Sequence, residues 1–389
     1  MSAVAAPDAL PRKELSGPFG GLFCGYLGLT AAIPVLPGYV RDRYDASDLL
    51  VGLAVTATAF TALLIRPLAG GQADYRGNRL VMQAGAVILA LGGLAYYLPI
   101  GLAGLVLDRL MLGIGEAALF TAGAVWVVSL APHNRRGQLI GLYGVSMWGG
   151  ISTGTFLGAV LRNLGYGAVW ALCAAAPLVG LALISSAAAP ARPPGPRRSA
   201  GLMLRPALTP GLALALAAGG YAALAAFVVL HLQARGIGSG VVVLSCFSLV
   251  YAGTRLVIGR LPDRYGPRPV ATGCAICEAV GLLIIAVAPN LPVALAGSLV
   301  MGVGFSLLHP SLALMVMNRT DKSQQGAALG AYTSFWDLGV AVWGPLGGVI
   351  AGALGYEAVF VVGACCAGVS AVMAMLIAEP SGQPVTVAS

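Results

Sequence analysis

The chain has 389 residues; 58% fall in the set Ala, Val, Ile, Leu, Met, Phe, Trp, Tyr and Cys, and only 9% are charged. An ordinary globular domain carries about 25% charged residues, so a water-facing protein of this length is excluded. The net charge of +8 comes from 22 basic and 14 acidic residues, and it reads as a membrane charge bias rather than a nucleic-acid surface.

The apolar runs are continuous and about twenty residues long, which suits membrane helices and not the alternating strands of a barrel. Residues 1–16 include Asp8, Arg12, Lys13 and Glu14 and hold no apolar core, so they read as a cytoplasmic tail and not a signal peptide. Twelve spans follow, broken at charges, Pro and Gly clusters: 17–40, 49–70, 80–99, 102–130, 139–161, 166–187, 207–234, 240–260, 269–288, 291–317, 326–351 and 355–378. Between the sixth and seventh lies a Pro- and Arg-rich linker, 188–206, and residues 379–389 form a short tail. An N-terminus inside puts Arg12, Lys13, Arg76, Arg79, Arg135, Arg136, Arg192, Arg197, Arg198, Arg205, Arg260, Arg264, Arg268, Arg319 and Lys322 on the cytoplasmic side. Only Arg41, Arg43, Arg162 and Arg235 then lie outside, and Arg66, Arg109 and Arg255 fall within spans. That asymmetry predicts a multi-pass protein of the cell inner (plasma) membrane with both termini cytoplasmic.

Seven cysteines all fall inside apolar runs, so neither a disulfide framework nor a redox site is expected, and Cys274-x-x-Cys277 reads as helix packing. No phosphate loop, zinc spacing or nucleophile triad is present, so the sequence predicts no cofactor, no metal and no enzyme.

The two sets of six spans align at an offset of 189 residues. Arg66 falls on Arg255, Gly70 on Gly259, Asp74 on Asp263, Gly77 on Gly266, Gly113 on Gly302, Gly115 on Gly304, Gly137 on Gly326, Gly141 on Gly330 and Tyr143 on Tyr332. A six-span unit has been duplicated in the same orientation. The expected domains are therefore a bundle over 17–187 and a second over 207–378, related by an axis along the membrane normal, with a cavity at mid-bilayer between them.

GGQADYRGNR (70–79) and GRLPDRYGPR (259–268) resemble the G-x-L-A-D-R-x-G-R-K signature of the major facilitator superfamily. DRLMLGIGE (108–116) resembles its R-x-x-x-G-x-G motif, and GISTGTFLG (150–158) its antiporter motif, with Thr155 in place of the proline. GAALGAYTSFWDLGVAVWGPLGG (326–348) is similar to small drug- and sugar-efflux permeases of that superfamily. The resemblance implies an all-α fold of twelve transmembrane helices in two pseudo-symmetric bundles and transport by alternating access. It also implies that Asp74 meets span 11, and Asp263 span 5, to close the cytoplasmic side. The gating set is then Gly70, Asp74, Arg76, Gly77, Arg79, Gly259, Asp263, Arg264, Gly266 and Arg268. Arg66 and Arg255, one turn earlier, snorkel to the interface or pair with those Asp residues.

Charges deep in a span are functional candidates by default. Glu116 sits near the centre of span 4 with Arg109 seven residues earlier, on the same face and about 10 Å away along the axis. Asp337 lies near the centre of span 11 and His309 in span 10. None of these four has an ionisable counterpart at the 189-residue offset, so function that differs between the halves belongs there. A carboxyl group in a low dielectric is favoured neutral, and an approaching guanidinium favours its carboxylate, so such a site can take up and release protons. The expected proton-coupling set is Glu116, Arg109, Asp337 and His309, with static helix pairing as the competing account. Glu278 in span 9 reads as structural.

Tyr26, Trp126, Tyr143, Trp148, Tyr221, Phe227, Tyr251, Phe305, Phe335 and Trp336 are candidates to line a substrate cavity, suited to a partly apolar molecule; ordinary packing competes for many of them. The leading expectation is a monomeric proton-coupled antiporter that exports drug-like compounds or a metabolite. An uptake symporter or sugar-type facilitator is the alternative, and a receptor or scramblase a third. Small-molecule substrate, protons and the bilayer are the expected partners, and nucleic acid is not.

Overall fold

The computed structural model describes residues 12–98, 101–130, 136–188, 204–320 and 325–377. All the described elements are helical. In chain order they are α1 (Arg12–Ala31), α2 (Leu36–Tyr44), α3 (Asp48–Arg76), α4 (Asn78–Ala95), α5 (Gly101–Leu130), α6 (Arg136–Leu161), α7 (Tyr166–Ser186), α8 (Leu204–Ala234), α9 (Gly240–Ile258), α10 (Leu261–Tyr265), α11 (Pro267–Val287), α12 (Leu291–Asn318), α13 (Gln325–Leu354) and α14 (Tyr356–Leu376). Among the described residues, 11 helical segments are long and apolar enough to cross a membrane. The 26-residue α6, diluted by Gly, Ser and Thr, is one more long helix. The expected twelve-helix, all-α architecture is what the chain forms.

Two expected spans differ in detail. The first breaks at residues 32–35, where Pro34 and Pro37 each remove a backbone donor; α1 stops at Ala31 and α2 resumes at Leu36. The second does not end at Gly70: α3 runs on to Arg76, and Gly77, with φ 97°, makes the break. Its repeat partner Gly266 has φ 87°, and a positive φ of this kind is open mainly to glycine. The second copy departs from the first, because α9 ends before Gly259 and the five-residue α10 fills the turn.

The duplication is visible in side-chain bonds as well as in sequence. Tyr143 Oη donates to the Phe120 carbonyl at 3.0 Å, and Tyr332 Oη to the His309 carbonyl at 2.8 Å. Arg109 Nε donates to the Ala54 carbonyl at 3.0 Å, and Ser298 Oγ to the Val243 carbonyl at 2.7 Å. A Cβ on Gly115 would lie 2.9 Å from the Gly85 carbonyl oxygen, and one on Gly304 2.6 Å from that of Cys274. Each pair is related by the 189-residue offset. Small residues at these crossings let helix backbones touch, which is how helices gain contact in a lipid solvent.

By packing, the chain groups into two compact units. One is drawn from Met1–Ala32, Leu64–Ile100 and Leu110–Arg197, the other from Ile33–Leu63, Gly101–Arg109 and Arg198–Ser389. In the first, α1 packs on α6 and α7, and α4 on α7. In the second, α11 packs on α12 and α14, and α8 on α13 and α14.

The second unit also holds α2 and the first half of α3. There Gly52 and Gly344 meet so closely that a Cβ on Gly52 would lie 2.1 Å from the Gly344 carbonyl oxygen. At the same end Arg41 Nη2 lies 3.0 Å from Asp48 Oδ1, Tyr356 Oη donates to the same oxygen at 2.6 Å, and Arg41 also donates to Tyr356 Oη at 2.5 Å. Arg41 is about a third exposed, so solvent screens the pair. Asp48→Ala is expected to cost about 1 kcal/mol at most, and Tyr356→Phe less, as read by thermal unfolding of the detergent-solubilised protein.

Candidate transport sites

The first unit builds one site around Glu116. Span 4 brings this carboxyl into the bundle on α5, where only 8% of the residue is exposed. Tyr26 Oη on α1 donates to Glu116 Oε1 at 3.0 Å. Arg66 Nη2 on α3 lies 3.9 Å from the same oxygen, and its guanidinium stands 4.8 Å from the centre of the Phe120 ring. Tyr143 fixes that turn of α5 by its bond to the Phe120 carbonyl. A carboxyl group, a guanidinium and a phenol therefore converge inside a membrane bundle. The carboxyl group can take up and release a proton, and all three can bind a polar group of a solute.

A cation beside Glu116 is Arg66, whereas the sequence places Arg109 two turns away on the same helix. Arg109 is 1% exposed and turns the other way, onto α3, giving hydrogen bonds to the carbonyls of Ala54 at 3.0 Å and Val55 at 2.7 Å. These bonds tie α5 to α3. Arg66 is 8% exposed, so it does not snorkel outward, and its other expected partner, the Asp74 side chain, lies outside the described residues. Trp126 is fully buried in the core of this unit. Trp148 on α6 is also buried.

The second unit gathers four of the expected aromatics into one cluster. Tyr221 on α8 stacks on Phe305 of α12, with ring centres 5.8 Å apart and planes within 6°. Trp336 on α13 lies 5.4 Å from Tyr221 and 5.7 Å from Phe305, and Tyr251 on α9 lies 6.0 Å from Phe305. Phe247, which sequence reasoning missed, joins them 6.1 Å from Tyr221. Its signal was available: it lies four residues before Tyr251, on the same helical face. Tyr251 Oη accepts from Arg255 Nη1 at 2.8 Å.

Asp337 is 1% exposed beside Trp336. His309 is half-buried, 5.2 Å from the Tyr332 ring. Two expected cavity residues lie apart from the cluster. Phe335 covers Gly211, and Phe227 fills the space over Gly52 and Gly347. Both pack against glycines, whose missing side chains leave room for the rings. Glu278 is fully buried, and its carboxyl oxygens have no hydrogen bond among the described residues.

The motif loops show divided roles. Arg79 donates to the Ser185 carbonyl and, with Gln83 bonding Ser185 Oγ at 2.9 Å, holds the end of α7. Arg264 lies 5.4 Å from the Tyr265 ring, and Asp263 and Arg76 are exposed. Arg268 is half-buried, and its carbonyl accepts from Thr272. Gly70 lies inside α3, where an added Cβ would meet Thr121 at ordinary contact distance, while one on Gly259 would collide with the Arg255 carbonyl.

The family model described as Major Facilitator Superfamily matches residues 19–242 and 211–388. The chain belongs to the major facilitator superfamily. Among curated relatives, an uncharacterised MFS-type transporter of Salmonella typhimurium is 32% identical over 369 residues, covering 92% of this chain and 94% of the relative. The uncharacterised MFS-type transporter YhhS of Escherichia coli K12 is 34% identical over 358 residues, covering 88% and 87%. Two solved structures share the fold. A mutant of the nucleoside transporter NupG has a TM-score of 0.75 at 14% identity, covering 93% of this chain and 99% of that one. The human organic anion transporter MFSD10 has a TM-score of 0.70 at 19% identity, covering 94% and 100%. The protein is thus a multi-pass secondary transporter of small molecules, in a class of carriers and not of enzymes.

Proposed function

We propose that this facilitator is a proton-coupled antiporter that exports small amphiphilic molecules by alternating access, with Glu116 as its main proton-carrying group. The observation that carries the reading is the buried trio of Glu116, Tyr26 and Arg66. A guanidinium 3.9 Å from the carboxyl stabilises the carboxylate. Any conformational step that separates them favours the neutral acid, so proton uptake and conformation become linked. Asp337 is the second titratable group or a substrate anchor, and Arg109 sets the pitch of α5 against α3.

The moving bodies in this reading are the six-span repeats, 17–187 and 207–378, joined by the cytoplasmic linker 188–206. With both termini inside and the inner membrane as location, Asp74 and Asp263 lie at cytoplasmic helix ends, where each can brace a facing helix terminus. The protein acts as a monomer in this scheme. The experiment is solute flux in proteoliposomes against a mixed panel of amphiphiles, with the pH gradient imposed in each direction. Antiport requires solute to move against the proton flow. Movement with the protons makes the protein a symporter, and flux indifferent to the gradient makes it a facilitator.

A further inference from the structure

The repeat exposes a charge that the second copy does not neutralise. Arg66 and Arg255 occupy equivalent positions. Arg66 is met by Glu116, but the residue equivalent to Glu116 is Phe305. Among the described residues no carboxylate lies within 4.0 Å of Arg255. Arg255 is also not a snorkelling residue. Its Nη1 donates to Tyr251 Oη, four residues back along α9, so the side chain folds toward the helix interior and away from the nearby end at Ile258. The Tyr251 it reaches is 1% exposed, while Arg255 itself is half-buried. Where Arg66 has the Phe120 ring, the equivalent residue of the second copy is His309, whose ring lies 5.2 Å from that of Tyr332.

An unneutralised guanidinium inside a span is costly unless an anion answers it. The fork of N–H donors left over from the Tyr251 bond matches a carboxylate or phosphate. Through Tyr251 it adjoins the cluster of Phe305, Tyr221 and the half-buried Trp336. A cation and an aromatic surface thus meet on one unit.

We propose that Arg255 is the anchor for an anionic group on the transported solute, and that the solute class is an amphiphilic organic anion whose apolar body lies on the Tyr221–Phe305–Trp336 cluster. This rests on the reading of the protein as an amphiphile carrier and narrows it. Tyr251 positions the guanidinium. A lipid headgroup phosphate shares the anchoring chemistry, so the test must separate the two sources.

The probes are three isosteres, 1-naphthoate, 1-naphthamide and 1-naphthylmethylammonium, titrated into wild-type protein in phosphatidylcholine nanodiscs with no gradient. The carboxylate is expected to bind about tenfold or more tighter than the amide, the scale of charge-assisted hydrogen bonding, and the ammonium weakest. Arg255→Gln is expected to erase that preference and Arg255→Lys to keep part of it, while Arg43→Gln, at an exposed arginine of neither site, leaves it in place. Equal binding of carboxylate and amide to wild type overturns the proposal, as does a preference that survives in Arg255→Gln. If phosphatidylglycerol nanodiscs abolish naphthoate binding, the anion at Arg255 is a lipid headgroup and the solute assignment fails. Because binding is read without a gradient, carboxylate selectivity without pH-driven flux would count against proton coupling alone.

Discussion

Glu116→Gln is expected to abolish solute transport driven by a pH gradient while leaving solute binding in place. Glutamine keeps the length of the side chain and an oxygen that can accept from Tyr26, whose hydroxyl lies 3.0 Å from the native carboxyl. What it loses is the ability to ionise, so the site stays fixed in a mimic of its protonated state. Moving one elementary charge through 100 mV is worth about 2.3 kcal/mol, so a carrier that cannot change its charge here loses the coupling that biases its cycle. The substitution also leaves Arg66 without its carboxylate, and breaking a buried pair can cost about 3–5 kcal/mol. The double variant Arg66→Gln/Glu116→Gln removes both charges and separates the effects. It should recover stability and remain uncoupled. Asp337→Asn, by contrast, is expected to weaken binding if Asp337 anchors the solute, with proton-driven flux retained at saturating solute.

Gly52→Ala is expected to be among the most disruptive single-methyl substitutions in the chain. The new Cβ would lie 2.1 Å from the Gly344 carbonyl oxygen and 2.8 Å from its carbon, and backbone cannot step aside as a flexible side chain can. Overpacking of this kind costs about 1–3 kcal/mol. Gly344→Ala meets Thr56, whose Oγ1 would be 1.8 Å away and is itself bonded to the Gly52 carbonyl at 2.9 Å. Both variants should unfold at lower temperature in detergent and transport more slowly, because α3 and α13 can no longer come together. Gly253→Ala and Gly330→Ala, where nothing lies within 4 Å of the added methyl, should behave as wild type. Wild-type stability and flux in Gly52→Ala would show that this contact is not needed.

The architecture was legible because its signals are local and repeated. Span length, the arginine asymmetry and the 189-residue register each survive without knowledge of packing. The register then reappears as bonds, with Ser298 reaching Val243 as Arg109 reaches Ala54. Which charges pair was not legible. Arg109 and Glu116 share a helix face by period, but period says nothing about the neighbouring helix, and α3 offers Arg109 two carbonyls and Glu116 a guanidinium. Phe227 and Phe335 misled for a related reason. An aromatic ring in a span signals a cavity only where the facing helix leaves one, and glycines at 52, 347 and 211 take up these rings instead. The Arg41–Asp48–Tyr356 cluster escaped notice because its members come from distant loops and helix ends, which no sequence period links.

Proton movement across the membrane tests the central claim most directly. Proteoliposomes holding an internal pH indicator, with an imposed pH gradient, receive a panel of amphiphilic carboxylates, amines and neutral compounds. With wild-type protein, at least one solute should collapse the gradient as it is exchanged, and Glu116→Gln, at equal protein content and with solute binding intact, should leave the gradient standing. Collapse of the gradient by Glu116→Gln at the wild-type rate, or solute flux through wild type with no accompanying proton movement, would contradict the account.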